Sequence, residues 1–234
     1  MKKLFAAVSV MAALLTSCSV KFNAKVEVDE SKKVEESYSI DTTLSNVIAL
    51  PKVDITGSMT LMEALKNRKT GRAYTGAALS DRQISELLWA AGGVNREDGR
   101  LTSPTARNAQ QIDIYVYTKR GVFLYKPVGH QLELVKEGNF IAKAGKQSFY
   151  EQAAIALTFV ANYDKMGALN FDEKSMEFYG ATDTGFASQN VYLYCAQENL
   201  GTVVCGMIDR DTIREVISLK NGYPVLSQAI GVQE

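Results

Sequence analysis

The stretch "GFASQNVYLYCAQENLGTVVCG", Gly185–Gly206, decides the fold. It continues an apolar segment, Asp183 to Asn199, whose Phe186, Val191, Leu193, Tyr194 and Ala196 fall nearly all round a helical wheel. Such a helix is expected at the centre of a domain, covered on most sides. Gly201 stops it, and "TVVCGMI", 202–208, follows as a strand of small and branched residues. A central helix turning directly into a core strand implies helices layered against a sheet.

Working outward, Ala153 to Val160 is a continuous run of small and branched apolar residues, the pattern of a strand buried on both faces. Ile112–Tyr117 alternates apolar and polar residues and is joined to Val122–Tyr125 across a "KRG" turn, with a short strand at Leu132–Val135 beyond it. Downstream lie an amphipathic helix, Asp211 to Leu219, and a last strand, "PVLSQAIGV". Ser80 to Ala91 is a second strong helix: Ser80 and Gln83 form a capping box, Ile84, Leu87, Leu88 and Ala91 form one stripe, and Gly92-Gly93 ends it. Trp89 sits beside that stripe, in the core or at an interface. Ser58 can cap a shorter helix through Asn67, with Leu61, Leu65 and Met62 facing inward. Mixed strands and helices with at least one hairpin predict an α+β, three-layer fold: a mixed or antiparallel central sheet flanked by helices.

The 234 residues are 46% hydrophobic and 22% charged, a globular composition. Lys plus Arg and Asp plus Glu each number 26, so no overall charge favours nucleic acid. There is no Gly-x-Gly-x-x-Gly, P-loop, His-Glu-x-x-His or Gly-x-Ser-x-Gly. A single histidine, His130, cannot build a multi-histidine metal site, and no Ser or Cys near it in sequence makes it half of a nucleophilic pair. Cys195 and Cys205 read as free buried thiols.

The N-terminus reads as an export signal. Met1-Lys2-Lys3 precedes a short apolar run, Leu4 to Leu15, and then Leu15-Thr16-Ser17-Cys18. The run is too short to span a bilayer. It resembles a bacterial lipobox, with 1–17 removed and Cys18 lipidated, which would place the protein in the cell envelope on a lipid anchor. The other reading is an ordinary secretory signal with an incidental cysteine. Residues 18–57 are then the lipidated terminus and a charged tether whose end, "IALPKVDI", can lie as an extended arm on the domain formed by 58–234.

Two polar segments stand out. "NRKTGR" carries Arg68, Lys69 and Arg72 with Thr70 and Gly71 between them. Guanidinium groups grip phosphate bidentately and glycine lets the backbone approach, so this is either an anion site or the solvated end of a helix. "TSPTARNAQQ", Thr102 to Gln111, packs hydrogen-bonding groups just before a strand, as a capped loop or as one wall of a ligand site.

Taken in order, the basic run, Ser103-Pro104-Thr105-Ala106-Arg107-Asn108 and Gly185–Gly206 resemble the nitroreductase family of FMN-dependent oxidoreductases, over roughly Thr60 to Val232. The nearest branch includes the azoline dehydrogenases, which show similar "LS-x-x-x-x-x-LLWAA-x-G", "R-x-x-PSAG" and "G-x-x-x-QN-x-x-L-x-A-x-x-LG" patterns. The resemblance implies an intertwined homodimer with FMN at the subunit interface. It assigns Arg68, Lys69 and Thr70 to the phosphate and Arg72 to the ribityl chain or pyrimidine edge. Ser103, Pro104, Thr105, Ala106 and Asn108 would line the ring, commonly that of the partner subunit. Gly201, Cys205 and Gly206 would pass the reactive N5, where a backbone N–H of Cys205 or Gly206 acts. The mechanism implied is ping-pong hydride transfer from a small-molecule donor to a small-molecule acceptor, with no protein acid–base pair and no metal. Arg107 stands where a small residue is usual and is the candidate for gating substrate. The chain also lacks the basic C-terminal residues of many relatives, and export separates it from NAD(P)H. The alternative is therefore a non-catalytic binding or structural lipoprotein on the same fold.

Overall fold

The computed structural model describes residues 46–234. The signal peptide, Cys18 and most of the tether lie outside the described residues. The elements are β1 (Val47–Ala49), α1 (Leu61–Asn67), α2 (Asp81–Gly92), β2 (Ile112–Tyr117), β3 (Gly121–Lys126), β4 (Gln131–Glu137), β5 (Ile155–Asn162), α3 (Tyr163–Gly167), α4 (Glu173–Gln197), β6 (Leu200–Cys205), α5 (Arg210–Val216) and β7 (Gly222–Val232).

The strands form one seven-stranded sheet in the order β1-β4-β3-β2-β5-β7-β6, and every pairing is antiparallel. The side-chain period of two sorts the sheet into two faces. Ile114, Val116, Leu157, Phe159 and Ile230 meet Leu87, Leu88 and Ala91 of α2 and Ala187, Val191 and Cys195 of α4. Tyr115, Tyr117, Ala156, Val160, Val203 and Ala229 face α5 through Ile213 and Val216, and pack with Ile141 and Tyr150 from short 3-10 turns. The result is the expected α+β three-layer arrangement. β1 pairs with β4 through Val47↔Glu133 and Ala49↔Gln131, so the end of the arm segment lies on the sheet edge.

Local signals read from sequence hold where they are self-contained. Ser80 and Gln83 form a reciprocal capping box on α2. Gly93 ends α2 because a Cβ there would meet Trp89 at 2.4 Å. Trp89 is half-buried and its indole N–H donates to Val94 O at 3.0 Å.

Three expectations are corrected. Thr60, not Ser58, caps α1, because Thr60 and Glu63 complete a capping box. Leu61, Met62 and Leu65 do not face inward; they are 63%, 72% and 44% exposed, and only Ala64 of α1 is buried. The central helix begins at Glu173, capped by Asp172, and is not covered all round. It buries a stripe of small and polar residues (Gly180, Asp183, Thr184, Ala187, Ser188) that continues into Val191, Tyr192 and Cys195, and leaves Phe178 and Phe186 outside. Small residues belong against the sheet because the helix lies close to it: a Cβ on Gly180 would meet Ala161 Cβ at 2.9 Å. The apolar residues on the outer side have no cover among the described residues.

His130 is corrected too. Its ring lies between Tyr125 OH (2.8 Å from Nδ1) and Ser85 Oγ (2.7 Å from Nε2), so the fold supplies the serine that sequence proximity did not. Ser85 is fully buried and donates to Pro51 O at 2.6 Å, which makes the trio an anchor for the arm rather than a nucleophile. Burial lowers the His130 pKa, favouring the neutral ring in this bridge.

Candidate functional site

The basic run follows α1 and is laid against the outer edge of β6. Gly71 N–H donates to Thr202 O at 2.9 Å, Tyr74 OH donates to Gly71 O at 2.9 Å, and Tyr74 bridges to Gln233. The approach is close enough to require glycine: a Cβ on Gly71 would lie 3.1 Å from Gly201 Cα. Gly201 is equally confined, since a Cβ there would lie 3.0 Å from both Tyr74 and Gln233.

Arg68 and Lys69 line a cavity of about 620 Å³, with Lys66, Tyr192, Ala196, Asn199 and Gln233 among its other walls. The Arg68 guanidinium lies 5.3 Å from the centre of the Tyr192 ring. Thr70 Oγ1 is 3.4 Å from Tyr192 OH, and that hydroxyl accepts from Val204 N–H at 3.1 Å. Arg72 is exposed and outside the cavity wall. Among the described residues, none of Arg68, Lys69 and Arg72 is in an ion pair. Three cations within five residues and no carboxylate partner leave a positive centre free for an anion.

β6 is an edge strand, so alternate residues present backbone groups outward. Thr202 O and Val204 N are used outward, by Gly71 and Tyr192. β6 ends at Cys205, which stands opposite Ser227 of β7, and Gly206 follows as a bend. Tyr74 and Tyr150 lie nearby, and burial first of all raises both phenols well above their ordinary range. They stay protonated at neutral pH and offer no base. Cys195 is a free, fully buried thiol raised the same way; Cys205 is free and half-buried.

The other segment lies elsewhere. Ala106–Asn108 is a 3-10 turn in which Arg107 and Asn108 have φ of 55° and 54°, and Gln110 has 48°. Ala106 N–H and Gln111 Nε2 both donate to Asp183 Oδ2, at 2.9 and 2.6 Å, and Gln110 N–H donates to Thr105 Oγ1 at 2.9 Å. Ser103 is buried beside Gly92. Arg107 donates to Leu169 O at 2.6 Å and stacks on Phe171. None of Ser103–Asn108 lines the cavity of Arg68. Asp183 and Tyr192, which hold the two segments, are nine residues apart on α4. That is about 2.5 turns and about 14 Å, at opposite margins of the buried arc. Within one chain the loop and the basic run do not meet.

Asp183 and Tyr192 are the two residues of this arrangement that sequence reasoning misses. Asp183 carries a signal: it shares the i, i+4, i+8 stripe with Ala187 and Val191, so a carboxylate there has to be buried and paired. Tyr192 carries none, being one aromatic in an apolar helix. A second cavity, about 360 Å³, lies between residues 53–59, α1, α2 and α4. In its wall Glu86 Oε2 accepts from Arg82 and Tyr194, and its buried Oε1 has no partner.

This architecture recurs in known proteins. A Methanocaldococcus jannaschii protein named as a nitroreductase is 32% identical over 194 residues, covering 79% of this chain and 95% of its own. A Ralstonia eutropha structure described as a nitroreductase is 40% identical, with a TM-score of 0.77, over 81% of this chain and 90% of that one. The Vibrio harveyi NADPH:FMN oxidoreductase shares the fold at 22% identity, with a TM-score of 0.57, over 74% and 69% of the two chains. The model of the Nitroreductase family matches residues 65–232, the span that holds the basic run, the Asp183-anchored loop and the β6 edge, and the chain belongs to that family.

Proposed function

We propose that this protein is an FMN-dependent oxidoreductase, close to the azoline dehydrogenase-like branch, whose cofactor site is completed by a second copy of the chain. The observation that carries this is the unpaired cation cluster Arg68–Lys69–Arg72 seated against the open edge of β6. The residues fit the group. Arg68, Lys69 and Thr70 would hold the phosphate and Arg72 the ribityl chain or pyrimidine edge, and the close Gly71–Gly201 contact leaves no side chain at that point. A backbone N–H at the end of β6, that of Cys205 or Gly206, would serve N5. The loop Ser103–Asn108 serves the partner's site, and Arg107 within it gates substrate. The exposed Leu61, Met62, Leu65, Phe178 and Phe186 support a subunit interface that covers them. When bound, the flavin supplies hydride acceptance from a small-molecule donor and return to an acceptor, in ping-pong order. The chain's part is to position it, to neutralise negative charge near the ring and to exclude water.

The order of basic start, apolar run and Leu-Thr-Ser-Cys supports lipid anchoring through Cys18 at a bacterial membrane. No helix among the described residues is long and apolar enough to cross one. The full chain, recovered from membranes, is expected to be yellow and to bleach with dithionite, and Cys18→Ala is expected to move the colour to the soluble fraction. Colourless protein that takes up no added FMN would overturn the flavin assignment; a Cys18→Ala protein still in membranes would overturn the anchor.

A further inference from the structure

We infer that Tyr192 is a positioning residue that fixes the direction of the Thr70 hydroxyl proton and thereby makes Thr70 a donor to a bound phosphate. This rests on the flavin reading above and extends it to a residue outside the basic motif.

Val204 N–H can only donate, and it donates to Tyr192 OH at 3.1 Å. The phenol is buried, with 8% of the residue exposed, and has one proton left to place. Thr70 Oγ1, at 3.4 Å, is its other polar neighbour. If Thr70 donated to the phenol, the phenol proton would have no partner on the protein, in a part-buried setting at the cavity wall. If the phenol donates to Thr70, every group is satisfied and the Thr70 proton is turned away from the protein. Thr70 is exposed, so that proton points outward, beside Arg68 and Lys69. The chain of donors then runs Val204 N–H to Tyr192 O–H to Thr70 O–H to the anion. Bonds in such a chain polarise one another in the same sense. The ring adds a second function, since the Arg68 guanidinium lies 5.3 Å from its centroid and is held near the same cavity.

The two contributions can be separated. Tyr192→Phe keeps the ring under Arg68 and removes the hydroxyl. FMN and riboflavin differ by the phosphate alone, so titrating the full chain with each isolates the effect. Tyr192→Phe is expected to weaken FMN binding by about tenfold while leaving riboflavin affinity unchanged. In a Thr70→Val background the same substitution is expected to have no further effect on FMN. Equal losses for both flavins would mean a merely structural role and would overturn the inference, as would an unchanged FMN preference or an undiminished effect in the Thr70→Val background. Wild-type chain that binds neither flavin would instead overturn the flavin assignment itself.

Discussion

Replacing Arg68 and Lys69 together by alanine is expected to lower FMN affinity by about 100- to 10,000-fold. Each cation offers charge-assisted bonds to a phosphate oxygen worth about 1.5–3 kcal/mol, and the two act in a cavity they line together. The fold should not register the change. Arg68 is half-buried, Lys69 is exposed, and neither is in an ion pair among the described residues. The substitution mainly removes the stacking of Arg68 on Tyr192, so the melting temperature should stay within about 2 °C. Riboflavin affinity is the control, because it lacks the phosphate. The variant is expected to lose most of its preference for FMN over riboflavin. A variant that keeps the wild-type preference for FMN would remove these residues from the phosphate site.

Asp183→Ala is expected to act on the other half of the site and on stability together. Asp183 is 3% exposed, and its Oδ2 accepts from both Ala106 N–H and Gln111 Nε2. Gln111 is fully buried and its Oε1 has no partner, so losing the carboxylate leaves that side chain with neither end satisfied. One buried and one part-buried donor without an acceptor cost about 2–4 kcal/mol in all, which for a chain of this size lowers the melting temperature by on the order of 10 °C. The loop it holds is strained: Arg107, Asn108 and Gln110 all sit at positive φ without being glycine. Such conformations persist only where the surroundings over-determine them. Released from Asp183, Ser103–Asn108 should relax and flavin uptake should fall even at temperatures where the chain is folded. Asp183→Asn keeps an acceptor oxygen and should be milder in both respects. An Asp183→Ala protein as stable as wild type would show that the loop is held by something else.

The parts of the fold legible in the sequence are those whose cause is local. The capping box of α2, the β2–β3 hairpin and the buried run of β5 each carry their signal in their own residues. The errors about burial share one origin, which is that hydrophobic spacing does not by itself place a side chain in the core of the described residues. Leu61, Met62 and Leu65 have the spacing of a core stripe, and the structure exposes them. On α4 the sheet-facing stripe is small and polar, because close approach at Gly180 leaves no room for larger side chains, and the phenylalanines lie outside.

The candidate site divides in the same way. Its two segments are visible as motifs, but not their separation across α4, which is a matter of where Asp183 and Tyr192 stand on a long helix. Val204 N–H is directed outward to Tyr192, while Cys205 pairs with Ser227 of β7.

The central claim is that one flavin site draws its phosphate grip from one chain and its ring-facing loop from another. It is tested most directly by co-expressing the Arg68→Ala/Lys69→Ala chain with the Asp183→Ala chain, each under its own tag, and measuring FMN in dimers purified through both tags. Each parent carries a lesion in every site of its homodimer. A mixed dimer has one site with both lesions and one with neither. The account predicts recovery to about one FMN per two chains, with both parents largely empty. Mixed dimers as empty as their parents would contradict it and place the whole site within a single chain.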